Sequence, residues 1–184
     1  MSENQEPVVQ EPVVVEEPQF NDAQIQHAIE NLRSEQNLGA GTIAGVVGAL
    51  IGAALWAAIT VATNFQIGFM AIGVGFLVGI AIRTVGKGVD NLFGIVGAVL
   101  ALLGCGLGNL LAMCGLAAGE ANIGIMEVIS NLTPALAIDL MVATFSPIDL
   151  LFYGIAAYEG YRLSFRQLTE QQIMERIPDQ EITG

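Results

Sequence analysis

Residues 42–62, 67–82 and 92–114 contain no Asp, Glu, Lys, Arg or His. Crossing a hydrocarbon core of ~30 Å takes about 20 helical residues. The first and third segments meet that length, and the second reaches it with its uncharged flanks. Main chain exposed to lipid must satisfy its own hydrogen bonds, which restricts such segments to helices or closed barrels. The short alternating pattern of a barrel strand is missing here, so the segments read as helices. Hydrophobic residues make up 53% of the 184, charged residues only 13%, and mean hydropathy is +0.62. These values fit a small polytopic membrane protein better than a soluble domain.

The flanks differ in character. Residues 1–20 carry an EPVV repeat in which Pro7, Pro12 and Pro18 interrupt any helix, and the reading is a disordered acidic tail. Arg33 is the one basic residue before the first apolar run, so a cleaved signal peptide is not expected. From residue 21 to 37 the period changes. Asn21 and Gln24 have capping-box spacing, and Ile25, Ala28, Ile29 and Leu32 recur at helical spacing, predicting a short cytosolic amphipathic helix whose favoured role is packing on the cytosolic mouth of the bundle, over that of a dedicated partner-binding helix. His27 lies off its apolar stripe and reads as a solvated residue. Net charge is −12, with no basic stripe to neutralise phosphates, which argues against nucleic acid as a partner.

All six basic residues fall on one side of a four-span topology. Arg33, Arg83, Lys87, Arg162, Arg166 and Arg176 lie inside if the spans are about 42–62, 66–83, 92–114 and 147–165 and both termini are cytosolic. Residues 167–184 then form a cytosolic tail. Trp56 and Phe65 are expected near the outer interface as aromatic anchors. Segment 115–146 is apolar but contains Glu120, Glu127, Asn131, Pro134 and Asp139. It reads as short amphipathic helices on the outer face within 120–144, the second with Thr133 as N-cap and Pro134 at N1. The expected fold class is therefore all-α, a four-helix membrane domain over residues 41–166.

Glycines mark the expected packing faces. Gly41, Gly45, Gly48 and Gly52 line one face of the first span, Gly75 and Gly79 occur in the second, and Gly104 and Gly108 in the third. Small residues four apart let neighbouring backbones approach, either within one chain or across a homo-oligomer, and packing within the chain is the favoured reading. Cys105 and Cys114 are nine residues apart, on nearly opposite faces of one helix, so they read as packing residues rather than a disulfide or metal pair.

The last span holds the charged candidates. Ser146, Pro147 and Asp149 have the N-cap, N1 and N3 pattern of a helix start, with Asp149 as a capping acid. Glu159 follows ten residues later, about 15 Å along the axis and roughly 80° around it, so the two acids cannot share a proton or a metal. Glu159 stands three residues before Arg162, predicting an ion pair that, with Arg166, pins the helix in depth. The competing reading makes Glu159 a ligand or proton site.

The sequence "AGVVGALIGAALW", then "FQIGFMAIGVGFLVGIAIR", "FGIVGAVLALLG" and "FSPIDLLFYGIAAYEGYRLSFR", resembles a group of bacterial four-helix integral membrane proteins with no established activity. The resemblance spans about residues 41–166. It implies the bacterial inner (plasma) membrane and a shared fold, and supplies no catalytic residue.

The residues alone offer no catalytic set: the one histidine lies in the cytosolic segment, and no metal-ligand or cofactor cluster is present. The expected role is a non-enzymatic membrane protein that presents residues 1–37 to a protein partner. The alternative is a small oligomeric transporter or channel. Thr60 and Asn109 are the most polar side chains in its first three spans, poor material for ion coupling.

Overall fold

The computed structural model describes residues 22–65 and 68–168 together with Ile173. Seven helices are bounded among the described residues: α1 (Asp22–Ser34), α2 (Leu38–Thr63), α3 (Met70–Gly86), α4 (Asn91–Ala121), α5 (Ile125–Ser130), α6 (Pro134–Thr144) and α7 (Pro147–Leu163). No strand occurs among the described residues. The acidic tail, Asn21 and Arg176 lie outside them.

Local chemistry sets the boundaries. Asn37 opens α2 by accepting the Ala40 N–H on its side-chain oxygen at 2.9 Å. Thr133 does the same for α6, accepting from Leu136 N–H at 3.2 Å, with Pro134 where its missing N–H costs nothing. Helices α2, α3 and α4 end on left-handed residues, Asn64, Lys87 and Asn122, at φ of 53°, 49° and 55°. Asparagine tolerates that conformation through its short polar side chain, whereas a lysine pays for it in Cβ crowding.

Four of these helices form a bundle. A Cβ on Gly45 would meet Ile82 and Leu100, one on Gly52 would meet Val74, and one on Gly104 would meet Val74 and Ala49. These pairings run α2 antiparallel to α3 and parallel to α4. Gly75 abuts Ala156 and Gly79 abuts Leu163, which sets α7 parallel to α3, while Gly97 abuts Gly160 and Ser164 and sets α7 antiparallel to α4. Helices α3 and α4 touch each other between α2 and α7, which flank them on opposite sides. The bundle thus has an Asn64 end and a Lys87 end. The short helices α5 and α6 pack on α4 at the Asn64 end.

The helix contacts are built largely of main chain and small side chains, with Trp56, Phe93, Ile82, Val74 and Val78 the large side chains buried among them. Gly41, Gly45, Gly48, Gly52, Gly75, Gly79, Gly104 and Gly108 all meet atoms of the same chain. Ala49, Ala53, Ala71, Ala101, Ala112 and Ala156 are buried among them. Many large apolar side chains point outward: Ile43, Val47, Leu50 and Leu55 on α2, Phe76 and Ile80 on α3, Val99 and Leu103 on α4, Leu150 and Leu151 on α7. This inversion of the soluble pattern suits a lipid solvent, in which dispersion contacts between closely approaching backbones hold helices together.

By length and composition, α2 and α4 can each cross a membrane, and α6 with α7, bent by 104° at their junction, makes up to a third. At 26 and 31 residues α2 and α4 are about 39 and 46 Å long. Helices α3 and α7, at 17 residues each, are about 25 Å.

The structure departs from the sequence reading at several points, α2 for instance beginning at Leu38 rather than 42. Helix α3 starts at Met70 rather than at 66 and continues to Gly86. Helix α4 continues past 114 to Ala121, because Val61 and Ile125 pack over Gly115 and keep this stretch helical, so Glu120 belongs to its last turn. Trp56 is not an interfacial anchor: it is buried at 1% exposure, seated against Gly108 and edge-on to Tyr153. Phe65 is exposed at the end of the bundle.

Candidate functional site

Asp149 sits at the first turn of α7, where its Oδ2 accepts the Ser146 N–H at 2.8 Å and the Asp149 N–H donates to Ser146 C=O at 2.9 Å. Helix-start chemistry accounts for this carboxylate. It also lies over the turn before α3, since a Cβ on Gly68 would come 3.2 Å from Asp149 Oδ1.

The ion pair expected between Glu159 and Arg162 is not formed, whereas Arg33 Nε pairs with Asp90 Oδ1 at 3.3 Å. Glu159 is half-buried and Arg162 exposed. An exposed pair three residues apart gains well under about 1 kcal/mol, too little to hold two long side chains together. Arg166 is tied through its main chain, its N–H donating to Gly88 C=O at 2.8 Å. The four candidate charged residues thus split between two ends, Asp149 at the Asn64 end and Glu159, Arg162 and Arg166 toward the Lys87 end.

Asp90 was the acid that the sequence did not single out. It occupies the N-cap position of α4 with extended backbone but makes no side-chain cap. Its carboxylate takes Arg33 on one oxygen and Gln36 Nε2, at 2.6 Å, on the other. Gln36 Oε1 in turn accepts Val89 N–H at 3.3 Å, and Asn37 N–H donates to Gly86 C=O at 2.9 Å. Helix α1 and its exit are thereby fastened to the loop between α3 and α4. A neighbouring Asp-Asn pair in a loop was the available signal, but its partners are more than fifty residues away.

A second constellation lies inside the bundle, where all four long helices contribute. Tyr153 Oη donates to Cys105 C=O at 3.4 Å, Cys105 Sγ donates to Ala71 C=O at 3.7 Å, and the Tyr153 ring meets Trp56 edge-on at 6.4 Å between centroids. Thr60, one turn beyond Trp56 on α2, and Asn109, one turn beyond Cys105 on α4, are both buried. Trp56 Nε1 and Thr60 Oγ1 have no hydrogen-bond partner. Where α2 and α4 end, Val61, Asn64, Gly115, Leu116, Gly119 and Glu120 line an open cleft of about 330 Å³. Among the described residues no three His, Cys, Asp or Glu side chains are grouped to hold a metal ion.

Comparison of the chain with protein-family models, with curated proteins and with solved structures finds no match.

Proposed function

We propose that the chain is a four-span, multi-pass protein of the bacterial inner membrane that acts without catalysis, presenting α1 and the acidic residues before it to a cytosolic or membrane protein partner. The observation that carries this reading is the interior packing. Cβ positions on Gly75, Gly97 and Gly160 fall on neighbouring main chain, so α7 packs on α3 and α4 backbone to backbone. The polar surface lies at the ends instead, and the amphipathic α1 is fastened to one of them through Asp90.

Four spans are supported by the apolar exposed faces of all four long helices. With snorkelling or local thinning at their ends, helices of 17 residues reach the lower limit of a span. Every described Lys or Arg belongs to the Lys87 end, which supports a cytosolic location for that end and hence for both termini. The resemblance of residues 41–166 to bacterial four-helix membrane proteins points to the same membrane.

The transporter reading draws on the layer of buried Trp56, Thr60 and Asn109 and half-buried Tyr153. Purification in mild detergent, with the full chain and with residues 1–37 removed, separates the two. A partner that co-purifies with the full chain and is lost with the deletion is the expected result. Solute flux in liposomes that survives the deletion, with no partner recovered, would overturn the presentation reading.

A further inference from the structure

Threonine hydroxyls in a helix usually have a partner close by, the carbonyl one turn back. Thr42, Thr63, Thr84 and Thr144 each donate to the carbonyl four residues earlier. Thr60, at 0% exposure, does not, and its Oγ1 has no partner in the protein. One turn below it, the indole Nε1–H of Trp56, at 1% exposure, is also unpartnered. Two orphaned polar atoms on neighbouring turns of one helix are costly in an apolar core, and sites of this kind are where proteins keep ordered water.

A cleft opens one turn beyond them, lined by neither residue. Asn64, one turn above Thr60, lines the 330 Å³ cleft at the end of α2 and α4, with Glu120 across from it. Trp56, Thr60 and Asn64 form a single stripe at four-residue spacing, running from the cleft into the bundle. The stripe contains no charge. Below Trp56 it is closed by Ala49, Gly104 and Val74, which are in van der Waals contact.

We propose that the cleft is the mouth of a blind hydration site, in which water enters past Asn64 and hydrogen-bonds Thr60 Oγ1 and Trp56 Nε1–H. Trp56 donates to the water, and Thr60 completes its coordination as donor or acceptor, so both orphaned atoms are satisfied. The absence of charge along the stripe selects a small neutral guest over an ion. The closure below Trp56 makes the site a pocket rather than a channel, in keeping with a packed bundle centre.

Trp56 is the sole tryptophan, so its indole proton can be observed without assignment ambiguity. The test uses the full chain with ¹⁵N-labelled tryptophan in lipid nanodiscs and records water cross-peaks and hydrogen exchange at the indole. Expected are a cross-peak to water and exchange at least about tenfold faster than at the buried Ala53 amide on the same helix. Thr60→Val, which keeps the shape and removes the hydroxyl, should weaken the cross-peak. Gly119→Leu should fill the mouth and slow indole exchange about tenfold, since a Cβ at Gly119 meets nothing within 4 Å and the change is tolerated by the fold. An indole with no water cross-peak, exchanging as slowly as Ala53, with Thr60→Val raising the melting temperature, would show two dry orphans and overturn the proposal. Exchange unaffected by Gly119→Leu would overturn the entry route.

Discussion

Gly73 and Gly75 stand two residues apart on α3, yet replacing each with alanine should shift stability in opposite directions. Gly73 is exposed, and a Cβ there meets nothing within 4 Å. Alanine at this position removes backbone freedom from the unfolded chain and should stabilise by up to about 1 kcal/mol. Gly75 is buried, and a Cβ there would overlap the Ala156 carbonyl, with Ala156 Cα only 2.9 Å away. These are main-chain atoms of α7 that cannot rotate aside, so α3 and α7 must separate. Overpacking costs about 1 to 3 kcal/mol, and a clash with backbone belongs at the upper end; offsetting the helix gain of about 1 leaves a net loss of about 2 kcal/mol. The two variants should therefore differ by about 3 kcal/mol. Unfolding of the purified protein in mild detergent, followed by helical circular dichroism against denaturant or temperature, measures both. Losses of equal size, or a Gly75→Ala protein as stable as the parent, would show that α3 and α7 do not meet through this face.

Lys87→Gly should stabilise the bundle by about 1 kcal/mol, read in the same unfolding assay, because it relieves the left-handed backbone at φ 49°, whereas Asn64→Gly should change little. Asp90→Ala should loosen α1 without unfolding the bundle. Arg33 is the only trypsin site before residue 83, so limited trypsinolysis should show cleavage there rising about fivefold for a loss of about 1 kcal/mol. Asp149→Asn should be nearly silent in thermal unfolding and Asp149→Ala should cost on the order of 1 kcal/mol, since asparagine can still accept the Ser146 N–H. Glu159→Gln, with no ion pair to lose, should stay within about 0.5 kcal/mol and keep its function; a stable, inserted Glu159→Gln protein with a null phenotype would make this carboxylate a working group.

What could be read from residues alone was local. The starts of α6 and α7 follow from Thr133 with Pro134 and from Ser146 with Asp149, because a cap is decided within four residues. The glycine stripe of α2 was legible because four-residue spacing gathers small residues on one face whatever that face meets. Which neighbour fills it was not legible, since that depends on Ile82, Leu77 and Val74 arriving from α3. Trp56 misled because aromatic rings favour the interface on average, while here Gly108 and Tyr153 open a slot for it inside. The Asp90 fastening was hidden for the same reason: Gln36 and Asp90 are 54 residues apart, and only the fold makes them neighbours. Glu159 and Arg162 show the converse, a spacing that permits a pair which the exposed guanidinium has no reason to form.

The proposed four-span orientation is tested most directly by labelling single cysteines in intact cells, since Cys105 and Cys114 are fully buried and give little background. Glu127→Cys on α5 and Asp139→Cys on α6 lie at the Asn64 end, and Lys87→Cys and Gln36→Cys lie at the other. A membrane-impermeant maleimide added outside should modify the first two, and should reach Lys87→Cys and Gln36→Cys only after the membrane is permeabilised. Labelling of Lys87→Cys from outside, or of Glu127→Cys only after permeabilisation, would contradict it.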